Sequence, residues 1–366
     1  MKILHVITDS NIGGAGTVLL NLMRNADRTR FEYTVAVPQG SKLVPELRAL
    51  NIGVVEMPGI GEKSLNLAAI SGFRKLIREI RPDVVHTHAS LSARIAAKLS
   101  GNTKIVHTRH SVFDVTPEQK RFYRRFISSI INNIFSDRII AVSPAAAENL
   151  IDLGTSPKKI TVVFNGAEPA RALTEAEKTD ARDEFGVNAD DFVCAIIARL
   201  EEVKGHRYIL EAAKWLRECP IKILVAGTGV LDAELRELAA REKLDNVIFT
   251  GFVREIYKVE NIMDIQLNAS YGTEATSLAL LEGMSLSKPA IVSDFGGNPY
   301  VIRDGENGLV VPKRDAAALA NAILRLYGDR ALTARLGEQA KRDYDATFTA
   351  EVMAHNTENV YLEVLK

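Results

Sequence analysis

Glu274 and Glu282 are separated by seven residues in the stretch GTEATSLALLEGMSLSKPAIVSDFGGNP. The stretch reads as a strand end, a polar turn, a helix and a second buried strand over Pro289–Ser293. Glu274 falls in the turn and Glu282 on the helix, with Thr276, Ser277 and Leu278 where the helix begins. Free backbone N–H groups at such a terminus attract an anion, and a flanking carboxylate can organise hydroxyl groups. Eight helical positions span up to about 12 Å, enough to reach both ends of a nucleotide-sugar.

A second set of charges lies upstream in ARLEEVKGHRYILEAA, where Arg199 and Lys204 follow an apolar run. Cations at a strand end beside a helix start can stabilise a diphosphate leaving group. Alone they are equally an ordinary surface loop. Near the N-terminus, Gly13-Gly14-Ala15-Gly16 precedes a helical stretch, and glycines there let the backbone approach a phosphate or sugar. A dinucleotide fingerprint would add a helix glycine and an acid ending strand two. Here strand two ends Val35-Ala36-Val37-Pro38.

Histidines close two further strands, His86 and His88 in RPDVVHTH and His110 in KIVHTRHS. Buried hydrogen bonding is the expected role of His86 and His88. No third ligand lies at useful spacing, so a metal site is not expected. The one Asp-x-Asp pattern, Asp343-Tyr344-Asp345, sits in a helical stretch and reads as solvated charge.

The elements that must position these residues are short apolar runs alternating with longer amphipathic stretches. Strands are expected at Ile3–Ile7, Tyr33–Val37, Val54–Met57, Val84–His86, Ile105–Thr108, Ile139–Val142 and Ile160–Phe164. After a polar stretch the series restarts at Phe192–Ala198, Lys222–Ala226, Val247–Thr250, Ile265–Leu267, Ala290–Ser293 and Leu309–Val311. Near-continuous apolar strands between helices imply parallel sheets covered on both faces. Two series in 366 residues imply two doubly wound α/β domains, over 1–168 and 169–349. A final helix over about 350–366 is long enough to pack back on the first. Ligands should sit outside the carboxyl ends of the strands, where the candidate residues fall.

Net charge is zero but unevenly divided. Residues 1–170 carry 22 Lys/Arg against 14 Asp/Glu, and the remainder 24 against 32. A basic first half suits an anionic partner or is incidental surface charge. Lys120–Ile134, KRFYRRFISSIINNI, aligns Phe122, Phe126, Ile130 and Ile134 at helical spacing beside Lys120, Arg121, Arg124 and Arg125. Such a helix suits either a peripheral contact with an anionic membrane or a core position with a solvated basic edge. No run approaches the roughly 20 apolar residues of a membrane span, and the N-terminus reads as a strand rather than a signal peptide. Two cysteines with no call for a disulfide point to a cytoplasmic setting, peripheral on the membrane at most.

Taken in order, these segments resemble the retaining GT-B glycosyltransferases of family 4, the glycosyl transferases group 1. The resemblance runs almost end to end: the early glycine loop, RPDVVHTH, HTRHS, AVSPAAAENL, VVFNGAE, ARLEEVKG, VAGTG, FTGF, the two glutamates, SDFGGNP and DGENGLVVP. It implies two Rossmann-like domains facing across a cleft, the first on the acceptor side and the second binding the nucleotide-sugar. It implies that Arg199 and Lys204 hold the donor diphosphate, Glu282 the ribose, and Glu274 the donor sugar. His110 would reach that sugar from the first domain, with Gly14 near donor or acceptor. Gly227, Gly251 and the backbone of Thr276, Ser277 and Leu278 would complete the donor site, without metal or other cofactor. The activity implied is transfer of a hexose or N-acetylhexosamine from a nucleoside diphosphate sugar, UDP favoured, to a saccharide or lipid-linked saccharide in cell-surface polysaccharide synthesis. No nucleic acid is implied. A sugar-nucleotide epimerase of the same architecture and a silent nucleotide-sugar-binding protein are the alternatives. Two positions depart from the family pattern: Tyr300 follows Pro299 where glutamate is frequent, and Ser287 stands where glycine is common.

Overall fold

The computed structural model describes residues 1–61, 64–113 and 122–366. The chain divides into two compact units, Met1–Ala167 with Thr349–Lys366, and Glu168–Phe348.

The first unit holds β1 (Lys2–Ile7), β2 (Glu32–Pro38), β3 (Gly53–Met57), β4 (Val84–His88), β5 (Lys104–Arg109), β6 (Arg138–Ala141) and β7 (Ile160–Val162). They form one sheet in the order β3-β2-β1-β4-β5-β6-β7, every described pairing parallel. β4 is buried at all its positions and β1 at all but its first, so His5, His86 and His88 are buried along with their apolar neighbours. Local signals start the covering helices. Ser90 and Ser143 each accept a hydrogen bond from a backbone N–H three residues on, and Pro144 occupies the first turn after Ser143. The helix Ala350–Leu365 belongs to this unit, and its Tyr361 is fully buried.

The second unit restarts with a capping box, Thr174 and Glu177 each satisfying the other's backbone N–H. Its strands are β8 (Phe192–Ile197), β9 (Ile221–Ala226), β10 (Val247–Gly251), β11 (Ile265–Asn268), β12 (Ala290–Ser293) and β13 (Gly308–Val311). The parallel order is β10-β9-β8-β11-β12-β13. Phe192, Ile196, Ile223, Leu267 and Ile291 pack with Leu210, Leu319 and Leu336 of the helices in its main core. Both sheets are doubly wound, and strand order reverses between β1 and β4 in one and β8 and β11 in the other. Those switch points open crevices at the strands' carboxyl ends.

Ser287 takes φ +58°, the left-handed region that glycine occupies without cost. That is a physical reason for the glycine common in the family at this position.

Candidate active site

In the second unit the loops after β8, β9 and β11 are stitched edge to edge. Ala198 N donates to Ala226 O at 3.1 Å, Leu200 N to Thr228 O at 3.0 Å, and Tyr271 N to Val203 O at 2.9 Å. Gly205 makes the last of these approaches feasible: its φ is +76°, and a Cβ there would press into the Ala269 carbonyl. Gly227 N donates to Gly251 O at 2.8 Å, joining the two expected donor-site glycines.

This stitching delivers Lys204 to Glu274. The Lys204 ammonium lies 2.9 Å from Glu274 Oε2, with the two side chains 17% and 8% exposed. Ser270 Oγ donates to the same oxygen at 3.0 Å and Asn268 Nδ2 at 3.4 Å. Lys204 also reaches the Thr273 carbonyl at 3.5 Å. Among the described residues no hydrogen bond reaches Oε1, so this oxygen is left to accept from a hydroxyl. The Glu274 carbonyl takes a hydrogen bond from Gly297 N at 3.0 Å, tying the turn to the loop after β12. Buried against Lys204, His206 has its imidazole lowered to about 4, by desolvation first and the Lys204 charge second.

Arg199 is placed differently. It pairs with Glu201 at 2.6 Å and is 73% exposed, with no ion pair to Glu274 among the described residues. Glu282, on the helix Leu278–Ser285, turns toward Glu260 on the helix Tyr257–Ile262. Burial and the neighbouring Glu282 push Glu260 up to about 9, and burial raises Glu282 as well. Two carboxyls in one desolvated space cannot both ionise, so the pair keeps a shared proton. Thr276 is buried, and Ser277 caps the helix by accepting from Leu280 N at 3.3 Å.

In the first unit Gly14 is exposed at the start of the helix Gly14–Arg24, beyond the carboxyl end of β1. His110 follows β5 and bonds His88 Nδ1 through Nε2 at 2.8 Å. The sequence offered no third imidazole near His86 and His88, but the fold supplies one. His5 of β1 sits in register with His86 of β4, and the three ring systems place nitrogens within 4.8 Å of one another. Sequence spacing missed it because His5 and His86, side by side on neighbouring strands, stand 81 positions apart in the chain. Asp343 also departs from expectation: it pairs with Arg303 at 2.9 Å and accepts from Asn307 at 2.7 Å, so it is a structural carboxylate rather than a solvated one. Asp345 is exposed beside Lys341, as expected for solvated charge.

Lys120 and Arg121 lie outside the described residues. The rest of that stretch forms the helix Phe122–Ile134, on which Phe126, Ile127, Ile130 and Ile134 are exposed, as is Tyr123. Among the described residues these apolar side chains are therefore outside any core. No helix among the described residues is long and apolar enough to cross a membrane.

Ser270, Asn268, Glu260 and His5 were not anticipated. Asn268 and Ser270 directly follow or end an apolar strand, so the strand-end rule applied there would have found them. Glu260 carried no local signal.

Two doubly wound parallel sheets in one chain, each with polar groups at the carboxyl edge of its switch point, make up the GT-B architecture. Residues 177–343 match the glycosyl transferases group 1 and residues 12–171 the Glycosyltransferase Family 4, and the chain belongs to the GT-B glycosyltransferases of family 4, enzymes that transfer sugar. The N-acetyl-alpha-D-glucosaminyl L-malate synthase of Bacillus anthracis is 25% identical over 97% of this chain and 95% of its own. The UDP-Gal:alpha-D-GlcNAc-diphosphoundecaprenol alpha-1,3-galactosyltransferase of Escherichia coli is 28% identical over 73% of this chain and 72% of its own. HepE of Anabaena, solved in complex with UDP, superposes with a TM-score of 0.86 at 20% identity, covering 99% of this chain and 100% of that one.

Proposed function

We propose that this glycosyltransferase moves a hexose or N-acetylhexosamine from a UDP-sugar to a saccharide or lipid-linked saccharide, with retention at the anomeric carbon and without a metal. The observation that carries the reading is the Lys204–Glu274 contact across the β8/β11 switch point. A cation and a carboxylate held there side by side suit a ligand that is anionic at one end and hydroxylated at the other.

The Lys204 ammonium takes the diphosphate and offsets the charge that grows on the departing nucleotide, in a site where low dielectric strengthens the effect. Arg199, free to swing from an exposed ion pair, adds to it. Glu274 Oε1 accepts from a hydroxyl of the transferred sugar while Oε2 stays pinned by Ser270 and Asn268. The helix terminus at Thr276, Ser277 and Leu278 receives the outer phosphate. Glu282 accepts from the ribose hydroxyls, with protonated Glu260 donating to it from behind. Gly227 and Gly251 keep the backbone close to the nucleotide. His110 and Gly14 act on the sugar from the first unit. A lysine in place of a divalent cation supports metal independence.

The relative from Escherichia coli is named for a UDP-sugar donor and a diphosphoundecaprenol-linked acceptor, which supports this donor and a lipid-linked acceptor here. A lipid-linked acceptor would bring the enzyme to a membrane surface in polysaccharide assembly, and the exposed apolar residues of Phe122–Ile134 support peripheral contact.

The test is a panel of UDP-, GDP- and ADP-sugars. The protein should slowly release the nucleoside diphosphate from the UDP-sugars even without acceptor, and do so in EDTA. Lys204→Ala or Arg199→Ala should lower turnover roughly 10²-fold, the scale of one charge-stabilising donor. Parent-like transfer by both variants would remove the assigned leaving-group contacts.

A further inference from the structure

A single file of hydrogen bonds runs through the first unit's sheet from Thr108 to His110. Thr108 Oγ1 lies 2.6 Å from His86 Nε2, and His86 Nδ1 lies 2.6 Å from the Tyr361 hydroxyl. That hydroxyl lies 3.2 Å from His5 Nε2. His5 Nδ1 lies 3.1 Å from His88 Nε2, and His88 Nδ1 lies 2.8 Å from His110 Nε2. Every ring nitrogen along the way is committed, and among the described residues His110 Nδ1 alone is left at the outer end.

The four rings are neutral. Burial lowers His5 to about 3 and His110 to about 4, and holds His86 and His88 well below the usual imidazole range. A neutral imidazole has one N–H and one lone pair, so each link fixes the sense of the next. The sense is set at Thr108. Its buried hydroxyl finds no acceptor other than His86 Nε2 among the described residues, and an orphaned buried O–H is costly. Thr108 therefore donates to His86 Nε2. His86 Nδ1–H then donates to the Tyr361 oxygen, and Tyr361 O–H to His5 Nε2. His5 Nδ1–H donates to His88 Nε2, and His88 Nδ1–H to His110 Nε2. The hydrogen of His110 is left on Nδ1.

We propose that Thr108, His86, Tyr361, His5 and His88 are positioning residues that set the tautomer of His110, so that its Nδ1–H meets the donor sugar as a hydrogen-bond donor. The sugar contact rests on the role given to His110 above; the order of hydrogen bonds does not. A metal ion among His5, His86 and His88 would have to break these bonds and leave two positive charges among neutral ligands.

Imidazole 15N spectra of the full-length protein, with His110 assigned from His110→Gln, should show His110 protonated at Nδ1. In Thr108→Val, which removes the donor and keeps the shape, that signature should give way to a mixture of tautomers, while Thr108→Ser should preserve it. With a UDP-sugar, Thr108→Val and Tyr361→Phe should each lower kcat/KM about 10-fold, one hydrogen bond's worth of transition-state stabilisation, and Thr108→Ser should stay near the parent. Combined with His110→Ala, neither should lower it further. Protonation of His110 at Nε2, full additivity with His110→Ala, or stoichiometric zinc with metal-shifted His5, His86 and His88 signals would each overturn the relay. His110→Ala with parental turnover overturns the sugar contact instead, and the spectra still judge the relay.

Discussion

Lys204 and Glu274 meet at 2.9 Å although they stand 70 positions apart in the chain, and neither is substantially exposed. The contact joins the loop after β8 to the loop after β11, so it serves stability as well as chemistry. Removing one partner of a buried pair strands the other charge, whereas removing both charges together does not.

Lys204→Met should accordingly lower stability by about 1–3 kcal/mol, less than a fully unpaired carboxylate because Ser270 and Asn268 still hold Glu274. Adding Glu274→Gln should recover most of that loss while turnover stays at least about 10²-fold below the parent. Thermal unfolding and turnover measured on both variants separate the two roles. Equal melting of parent and single variant would show that the pair contributes nothing to the fold.

Glu260 gives a pH dependence of the opposite sense to an ordinary carboxylate. Its folded value, about 9, lies above the unfolded value near 4.5, so the folded state binds the extra proton between those limits. Stability from this group is fully present below about pH 4.5 and is lost as pH climbs toward 9. Glu260→Gln mimics the protonated form. It should melt close to the parent at pH 5 and be the more stable at pH 8.5, by about 1–3 kcal/mol after allowing for the proton shared with Glu282. A constant difference across that range would rule the shared proton out.

Ser287 holds a left-handed conformation at φ +58° without the freedom of glycine. Ser287→Gly relieves the Cβ clash but adds entropy to the unfolded chain, so a net gain of up to about 1 kcal/mol is expected. Chemical denaturation would measure it. A loss of more than that amount would mean the serine side chain stabilises the turn.

The helix Phe122–Ile134 should bring the protein to anionic vesicles. Flotation with phosphatidylglycerol liposomes should fall at least about 5-fold when Arg121, Arg124 and Arg125 become glutamate, each basic residue near such a surface contributing about 1 kcal/mol. Vesicles of phosphatidylcholine alone should recover little of either form. Equal recovery of parent and variant with the anionic lipid would take this helix out of the account.

What the sequence discloses follows how local each feature is. The apolar runs became strands because a parallel strand buried on both faces needs no partner to be recognised; even Ala290–Ser293 lies where its run predicts. The turn position of Glu274 and the cap at Ser277 were legible for the same reason. Strand ends were less so. β4 extends through His88 because its pairing with β5 continues there, which an apolar window does not register. The partners of Glu282 and His86 were not legible at all. Glu260 and Tyr361 reach them through packing of elements distant in the chain, and nothing in the spacing of charges or aromatics encodes that. Asp343 was misjudged for the same cause, its partner Arg303 lying 40 positions upstream.

Residues 349–366 complete the first unit: Thr349 bridges Ala167, Gly166 N donates to Met353 Sδ, and Tyr361 plugs the sheet between His5 and His86. During synthesis the first unit therefore cannot close until residues 349–366 have been made, after the whole of the second unit. Until then it exposes the face that Tyr361 seals, and damage to the helix Ala350–Leu365 is felt in a unit whose sheet was translated long before it.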